Sequence, residues 1–334
     1  MKKFKSFLVT GGAGFIGSHV VRRLLKKYPD SQIVNLDSLT YAGNLQNIKD
    51  FQHATNHHFK KESINNIEIL QSLFKKYGFD AVIHLAAESH VDNSIKNPLE
   101  FAKTNIQGTL NILEVARQNW ENYSQQNRFY HISSDEVFGS LGIEGKFNED
   151  SSYDPRSPYS ASKAASDHFV RAYFHTYGLP IVLSNCSNNY GPAQHVEKLI
   201  PMVIKNIINQ KTLPLYGKGE NIRDWVYVED HVEAIGTILS KGKTGETYAI
   251  GGNNEQKNIG VVNKLIEITD RLLKRPKGTS KSLISFVTDR LGHDFRYAID
   301  ASKIKQTLGW VPNTSFEVGL EKTVKYYLNK QKHE

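Results

Sequence analysis

The amino-acid sequence predicts an α/β fold, a doubly wound parallel sheet carrying a smaller, discontinuous α/β unit in the C-terminal half. Three observations lead there. Short apolar runs alternate with helical periods through the first half of the chain, the pattern of parallel strands joined by crossover helices. A glycine-rich turn, Gly11, Gly12, Gly14 and Gly17, stands between the first apolar run and the first helical period. After Asn185 the alternation weakens into short elements separated by segments rich in Asn, Pro and Gly, which marks a second unit of different construction.

Strands are expected at residues 6–9, 32–36, 81–87, 128–133 and 181–185. Between the first two, residues 19–27 form an amphipathic helix with Val20, Val21, Leu24, Leu25 and Tyr28 on one face. Residues 99–117 form another helix, with Asn105 inside it. Right-handed crossovers then place ligands at the carboxyl ends of the strands. Residues 224–250 read strand–helix–strand and are expected to rejoin the sheet. The division is therefore 1–186 with 224–250 for the sheet domain, and 187–223 with 251–334 for a substrate domain. Residues 274–282 read as an exposed basic loop.

Composition narrows the function classes. The 334 residues are 39% hydrophobic and 23% charged, ordinary for a soluble protein. No run approaches the roughly 20 apolar residues of a membrane span, and the start, Met1-Lys2-Lys3-Phe4-Lys5, reads as a cytoplasmic N-terminus entering a strand. The net charge of +8 is scattered in short runs such as Lys26-Lys27 and forms no stripe for nucleic acid. Cys186 is the only cysteine, so neither an intrachain disulfide nor a cysteine metal cluster is possible, and no metal site is expected. Its thiol reads as buried at a strand end.

The glycine turn carries the first functional expectation. Glycines there allow a tight turn, close approach of a pyrophosphate and packing of the helix on the strand, while the helix N-terminus offers free N–H groups to the phosphates. Asp37, twenty residues beyond Gly17 at the end of the second strand, suits the two hydroxyls of an adenosine ribose and repels a 2′-phosphate. The pair points to NAD in a Rossmann-type domain.

Tyr159 and Lys163 stand four apart after Ser157-Pro158, a helix start, and so share a helical face. A nearby ammonium lowers the pKa of a phenol, and such a pair can take a hydroxyl proton while hydride leaves the same carbon. His84 and His131 fall in strands and read as structural.

With the glycine turn and Asp37, Tyr159 and Lys163 resemble the extended short-chain dehydrogenase/reductase superfamily. The segments Ala86-Ala87-Glu88-Ser89-His90-Val91-Asp92, Ser133-Ser134-Asp135-Glu136-Val137, Cys186-Ser187-Asn188-Asn189-Tyr190-Gly191-Pro192 and Glu197-Lys198-Leu199-Ile200-Pro201 are similar to dTDP-glucose 4,6-dehydratases. So are Tyr216-Gly217-Lys218-Gly219, Ile222-Arg223-Asp224-Trp225 and Asp289-Arg290-Leu291-Gly292-His293-Asp294. The likeness spans nearly the whole chain.

The resemblance implies dehydration of dTDP-glucose to its 4-keto-6-deoxy product. Tyr159 would be the C4 base and Lys163 would orient the ribose and tune Tyr159. Ser134 would hydrogen-bond O4, Glu136 would take the C5 proton and Asp135 would protonate the departing C6 hydroxyl. For that last role the Asp135 pKa must be raised.

Cofactor contacts are implied for Gly11, Gly14, Phe15, Ile16, Gly17, Asp37, Ser38, Leu39, Thr40, Ser63, Ile64, Leu85, Ala86, Ala87, Thr104, Tyr159, Lys163 and Asn189. Substrate contacts are implied for Ser89, Ser134, Asn188, Lys198, Leu199, Pro214, Tyr216, Arg223, Asn258, Arg290 and His293, and a homodimer for helices around 99–117 and 159–177.

The chain departs from the family pattern at Ser134 (usually Thr), Asn93 (frequently Arg), Ser63 (usually Asp) and Ala193-Gln194-His195-Val196. A 4,6-dehydratase for UDP-, CDP- or GDP-hexoses, a nucleotide-sugar 4-epimerase and a catalytically silent NAD sensor remain alternatives. An epimerase has no need of Asp135-Glu136, and a sensor no need of all five catalytic residues.

Overall fold

The computed structural model describes residues 4–120, 127–289 and 292–331. Twelve strands follow in chain order: β1 Ser6–Thr10, β2 Gln32–Asp37, β3 His57–Lys61, β4 Ala81–His84, β5 Arg128–Ser134, β6 Ile181–Cys186, β7 Asn188–Tyr190, β8 Leu213–Tyr216, β9 Ile222–Tyr227, β10 Thr247–Ile250, β11 Glu255–Lys257 and β12 Ile284–Val287. The α-helices are α1 Phe15–Lys27, α2 Ile67–Tyr77, α3 Val91–Lys96, α4 Pro98–Phe101, α5 Gly108–Asn119, α6 Pro158–Tyr177, α7 Leu199–Ile208, α8 Val228–Lys241, α9 Asn258–Leu272, α10 Ser302–Leu308 and α11 Phe316–Gln331.

Seven strands make one parallel sheet in the order β10-β6-β5-β4-β1-β2-β3. Both faces are covered. Phe7 and Val9 of β1 point into a core with Val21 and Leu24 of α1 and Val232 and Ile235 of α8. Leu8, between them, points the other way, onto a core with Leu70 and Phe74 of α2, Ile112 of α5 and Val170 of α6. This period-two alternation between two buried faces explains the near-continuous apolar strands. The order in which the chain adds strands reverses between β1 and β4, and a crevice opens at their carboxyl ends.

The five expected strands are present, each shifted by at most a few residues. Residues 224–250 divide differently from expectation. α8 and β10 join the large sheet, but β9 lies between β7 and β11 in a separate three-stranded sheet. A second core packs around it, with Trp225, Ile204 of α7, Leu265 of α9 and Leu320 of α11. The expected helix 99–117 is interrupted, because Ala102–Gln107 is a π-helical stretch between α4 and α5. Residues 274–282 are not wholly an exposed loop, for the Ser280 hydroxyl is buried on Asp270 Oδ1 at 2.6 Å.

Candidate active site

The glycine turn links β1 to α1. Gly11 has φ +73° and a side chain there would meet the Ala86 amide nitrogen at 2.8 Å, so only glycine fits the crossing beside β4. A Cβ on Gly17 would lie 2.1 Å from the Gly11 carbonyl oxygen, whereas one on Gly14 would meet only that same oxygen, at 3.2 Å. Gly17 therefore seats the helix on the turn, and Gly14 leaves the helix N-terminus bare toward the cleft. No acidic side chain occupies the first turn of α1, so its positive end stays available to phosphate. Gly17→Ala is expected to lower Tm and to release bound dinucleotide, because backbone there must move; thermal denaturation and nucleotide content of the purified variant check this.

Asp37 closes the turn as well as facing the cleft. Its carboxylate accepts from the Ala13 amide at 2.9 Å and the Leu39 amide at 2.8 Å. Burial raises its pKa, opposed by these backbone bonds. A carboxylate retains further lone pairs for two ribose hydroxyls, so the residues present fit a dinucleotide. Leu39, expected beside the cofactor, does not line the cleft. Its backbone takes φ +53° to bring its N–H onto Asp37, and its side chain packs on the core.

The cleft, about 840 Å³, runs from Gly11 and Asp37 past Ser63, Ile64, Ala86 and Thr104 to Ser134, Asp135, Glu136, Tyr159 and Lys163. The last five converge from two elements. β5 ends at Ser134, whose hydroxyl accepts from the Glu136 amide at 3.2 Å and caps the 3₁₀ turn Asp135–Phe138. That cap aims two consecutive carboxyl side chains from one strand end. Tyr159 and Lys163 come from α6, whose start is fixed by Pro158 and by a capping box between Ser157 and Ser160.

Electrostatics separates the two acids. Asp135 is 2% exposed, and burial, then the Glu136 charge, raises its pKa well above the usual carboxyl value. Its Oδ1 lies 3.3 Å from the Ser134 hydroxyl that donates to it, while Oδ2 is buried with no partner among the described residues. A carboxyl held protonated in this way can serve as a proton donor.

Tyr159 is also raised well above its ordinary value, by burial and then by Glu136, and the Ser134 hydroxyl works against this. The Lys163 ammonium is buried and donates to the Ile132 carbonyl at 2.9 Å.

A second pocket of about 470 Å³ opens from the first, and the two share Glu136, Asn188, Asn189, Gln194 and Lys198. Leu199, Pro214, Tyr216, Arg223, Asn258 and His293 line it, while Ser89 lies on the cleft side of the junction. Arg290 falls outside the described residues. Arg223 is buried, with its guanidinium donating to the Asp294 carbonyl at 2.9 Å and lying 4.2 Å from the Tyr297 ring centre. Tyr216 is half-exposed, its hydroxyl 3.4 Å from Asp92 Oδ2 across the pocket mouth. Lys198 bonds the Ser89 carbonyl at 3.2 Å.

The two sites thus join at Glu136, with Asp135 beside it on the cleft side. Comparison with known proteins decides between the enzymes that share this scaffold. Residues 8–323 match the family model described as GDP-mannose 4,6 dehydratase. The chain is 52% identical to a dTDP-glucose 4,6-dehydratase of Escherichia coli, covering 96% of this chain and 93% of that one. The chain belongs to the dTDP-glucose 4,6-dehydratase family.

Solved structures agree. The dTDP-glucose 4,6-dehydratase of Bacillus anthracis, in complex with NAD, is 43% identical with a TM-score of 0.87 and covers 98% of this chain and 97% of that chain. DesIV of Streptomyces venezuelae, solved with NAD and a further ligand bound, is 43% identical with a TM-score of 0.90, covering 98% of both chains.

Within this family the departures have local structural roles. The Ser63 hydroxyl accepts from the Asn65 amide at 3.1 Å and makes a turn at the cleft wall. The Asn93 amide is capped by His90 Nδ1 at 3.3 Å. In the altered loop, Ala193 takes φ +68°, Gln194 donates to the Asn189 carbonyl at 2.8 Å, and His195 lies 3.4 Å from Glu197.

Glu197, Asp92 and Tyr297 line the second pocket without having been singled out in the sequence. Glu197 and Asp92 sat inside the recognised strings, and only the fold shows which members of a string face the pocket. Cys186 is buried at the end of β6 as expected, and burial pushes its thiol up to about 12.

His84 and His131 are structural. His84 lies between the hydroxyls of Thr10 at 2.7 Å and Thr109 at 2.9 Å. His131 Nε2 lies 3.0 Å from Asp167.

Proposed function

We propose that the chain dehydrates dTDP-glucose to dTDP-4-keto-6-deoxyglucose, with NAD held throughout and returned to its starting state. The observation carrying this reading is the buried Asp135 with its unpartnered Oδ2, beside Glu136 at the junction of the two pockets. Bound NAD would accept hydride from C4 and return it at C6. Gly11, Gly14, Gly17 and Asp37 would hold its diphosphate and adenosine ribose, and Lys163 its other ribose.

Tyr159 takes the C4 hydroxyl proton, with Ser134 beside it to bond O4. The ketone at C4 acidifies the C5 hydrogen, which Glu136 removes as Asp135 delivers its proton to the departing C6 hydroxyl; Glu136 gives a proton back to C5 when hydride returns at C6, and Tyr159 and Asp135 are reset by exchange with solvent. Lys198, Arg223, Asn258 and His293 face the sugar diphosphate, and Tyr216 the nucleotide base. Arg290 belongs to this set by resemblance.

Sheet and second core support the two-domain division proposed from the sequence, with β9 counted among the substrate-domain strands. Leu99 is 80% exposed, and Ile95, Phe169 and Tyr177 are also exposed on α3–α6. These apolar side chains support a homodimer formed by that face. Among the described residues no helix is long and apolar enough to cross a membrane, in keeping with a cytoplasmic enzyme.

Incubating the pure protein with dTDP-, UDP-, CDP- and GDP-hexoses and identifying products tests the reading. dTDP-glucose should give the 4-keto-6-deoxy sugar without net reduced cofactor. Formation of dTDP-galactose alone would make it an epimerase, and preference for another nucleotide would reassign the substrate.

A further inference from the structure

Three groups assigned to the substrate above share a mark. Asp135 Oδ2, Asn188 Oδ1 and Asn258 Oδ1 are buried side-chain oxygens without a partner among the described residues. Gln194 Oε1 carries the same mark, and no step above uses it. Gln194 lines both pockets, on the wall they share with Glu136, Asn188, Asn189 and Lys198. A buried oxygen left without a donor costs free energy, so its place on that wall calls for a donor on a bound ligand.

The altered loop fixes which end of this amide is presented. Gln194 Nε2 donates to the Asn189 carbonyl at 2.8 Å. That carbonyl can only accept, so turning the amide over would break the bond, and Oε1 is the end left for a ligand. Asn189 is itself held, its Oδ1 2.8 Å from His231 Nδ1 and its Nδ2 donating to the Ser187 carbonyl at 3.0 Å. The Gln194 carbonyl accepts from the Tyr327 hydroxyl on α11. Ala193, just before it, takes φ +68°, a conformation strained for a residue with a Cβ. Such strain persists only where the surroundings over-determine it, and here they set one side chain at the junction of the pockets.

We propose that Gln194 is a specificity-determining residue whose Oε1 accepts a hydrogen bond from the C2 or C3 hydroxyl of the hexose. The hexose must lie where the pockets meet, because hydride passes between its C4 and a nicotinamide in the cleft while Glu136 and Asp135 act at C5 and C6. Tyr159 and Ser134 take the C4 hydroxyl and Asp135 the C6 hydroxyl, which leaves the two that do not react. The nucleotide base lies further off, toward Tyr216, which lines the second pocket alone. An acceptor anchored at its other end favours a donor at one position, and a sugar lacking that hydroxyl leaves the oxygen buried and unpaired.

The inference rests on the dehydration reading above, and its test keeps the two apart. kcat/KM is measured for dTDP-glucose, dTDP-2-deoxyglucose and dTDP-3-deoxyglucose with the NAD-bound parent and with Gln194→Met, alongside the Kd for dTDP and the NAD content of each protein. The parent should prefer dTDP-glucose over one of the deoxy sugars by ~10-fold or more. Gln194→Met should erase that preference by lowering kcat/KM for dTDP-glucose alone, with dTDP affinity and NAD content unchanged. A folded variant that keeps the parent's preference, or that loses dTDP or NAD instead, overturns the proposal. Should Gln194→Met fail to fold, the parent decides: a preference at one hydroxyl supports the proposal, and equal use of all three sugars overturns it. A parent that leaves dTDP-glucose unchanged would sink the dehydration reading itself.

Discussion

Glu136→Gln is expected to slow dehydration of dTDP-glucose by ~10²–10⁴-fold, the usual worth of a positioned general base, while oxidation at C4 continues. Glutamine keeps the shape of the side chain and its place at the junction of the pockets, but it cannot take the C5 proton. Exchange of C5 hydrogen with deuterium oxide, followed by NMR, should fall with the overall rate. A band from reduced nicotinamide should still appear when substrate is added. Loss of that band in folded protein would contradict the assignment of Glu136 as the base.

The same substitution carries a second signature. After burial, the Glu136 charge is the next influence raising Tyr159 and also the next raising Asp135. Removing it lowers both pKa values. C4 oxidation requires Tyr159 to lose its proton, so the rising limb of its pH profile should move to lower pH in Glu136→Gln. A purely steric effect of the glutamine would leave that limb in place.

Most of the site was legible because its chemistry is written in short strings. Asp135-Glu136 and the Tyr159–Lys163 spacing each occupy one strand end or one helical face, and local geometry then brings them into range. What was not legible depends on partners distant in sequence. β3, with His57, His58, Lys60 and Lys61 around a single Phe59, lacks an apolar run because it is the sheet's edge and pairs only with β2. β9 has a strand's apolar pattern, but that pattern does not say which sheet it joins, and Asn188–Tyr190 and Glu255–Lys257 claimed it.

The π-helical stretch at 102–107 likewise has no local mark. Its Asn105 side chain bonds the Glu88 backbone and the Ser162 hydroxyl, contacts that exist only once β4 and α6 are in place. The bond from the Lys163 ammonium to the Ile132 carbonyl on β5 has no local mark either, since a shared helical face says only that Lys163 and Tyr159 lie near one another.

Asp135→Asn is expected to separate activity from stability, lowering dehydration by ~10²–10⁴-fold while raising Tm at neutral pH. The amide has no transferable proton for the departing C6 hydroxyl, so elimination slows, whereas C4 oxidation and C5 exchange persist because Tyr159 and Glu136 are intact. The stability effect follows from the direction of the shift. Asp135 has a folded-state pKa raised above the ordinary carboxyl value of about 3.9, so the folded state binds this proton more tightly than the unfolded chain. Its contribution therefore becomes increasingly unfavourable as pH rises above the unfolded value and stops changing once the folded-state pKa is passed. Asparagine does not titrate, so the Tm advantage of the variant should be largest at neutral pH and should shrink toward pH 4. Thermal denaturation of both proteins across that range checks the sign. A variant less stable than the parent at every pH would mean that the Asp135 proton is not held by burial and by Glu136, and the acid role would fall with it.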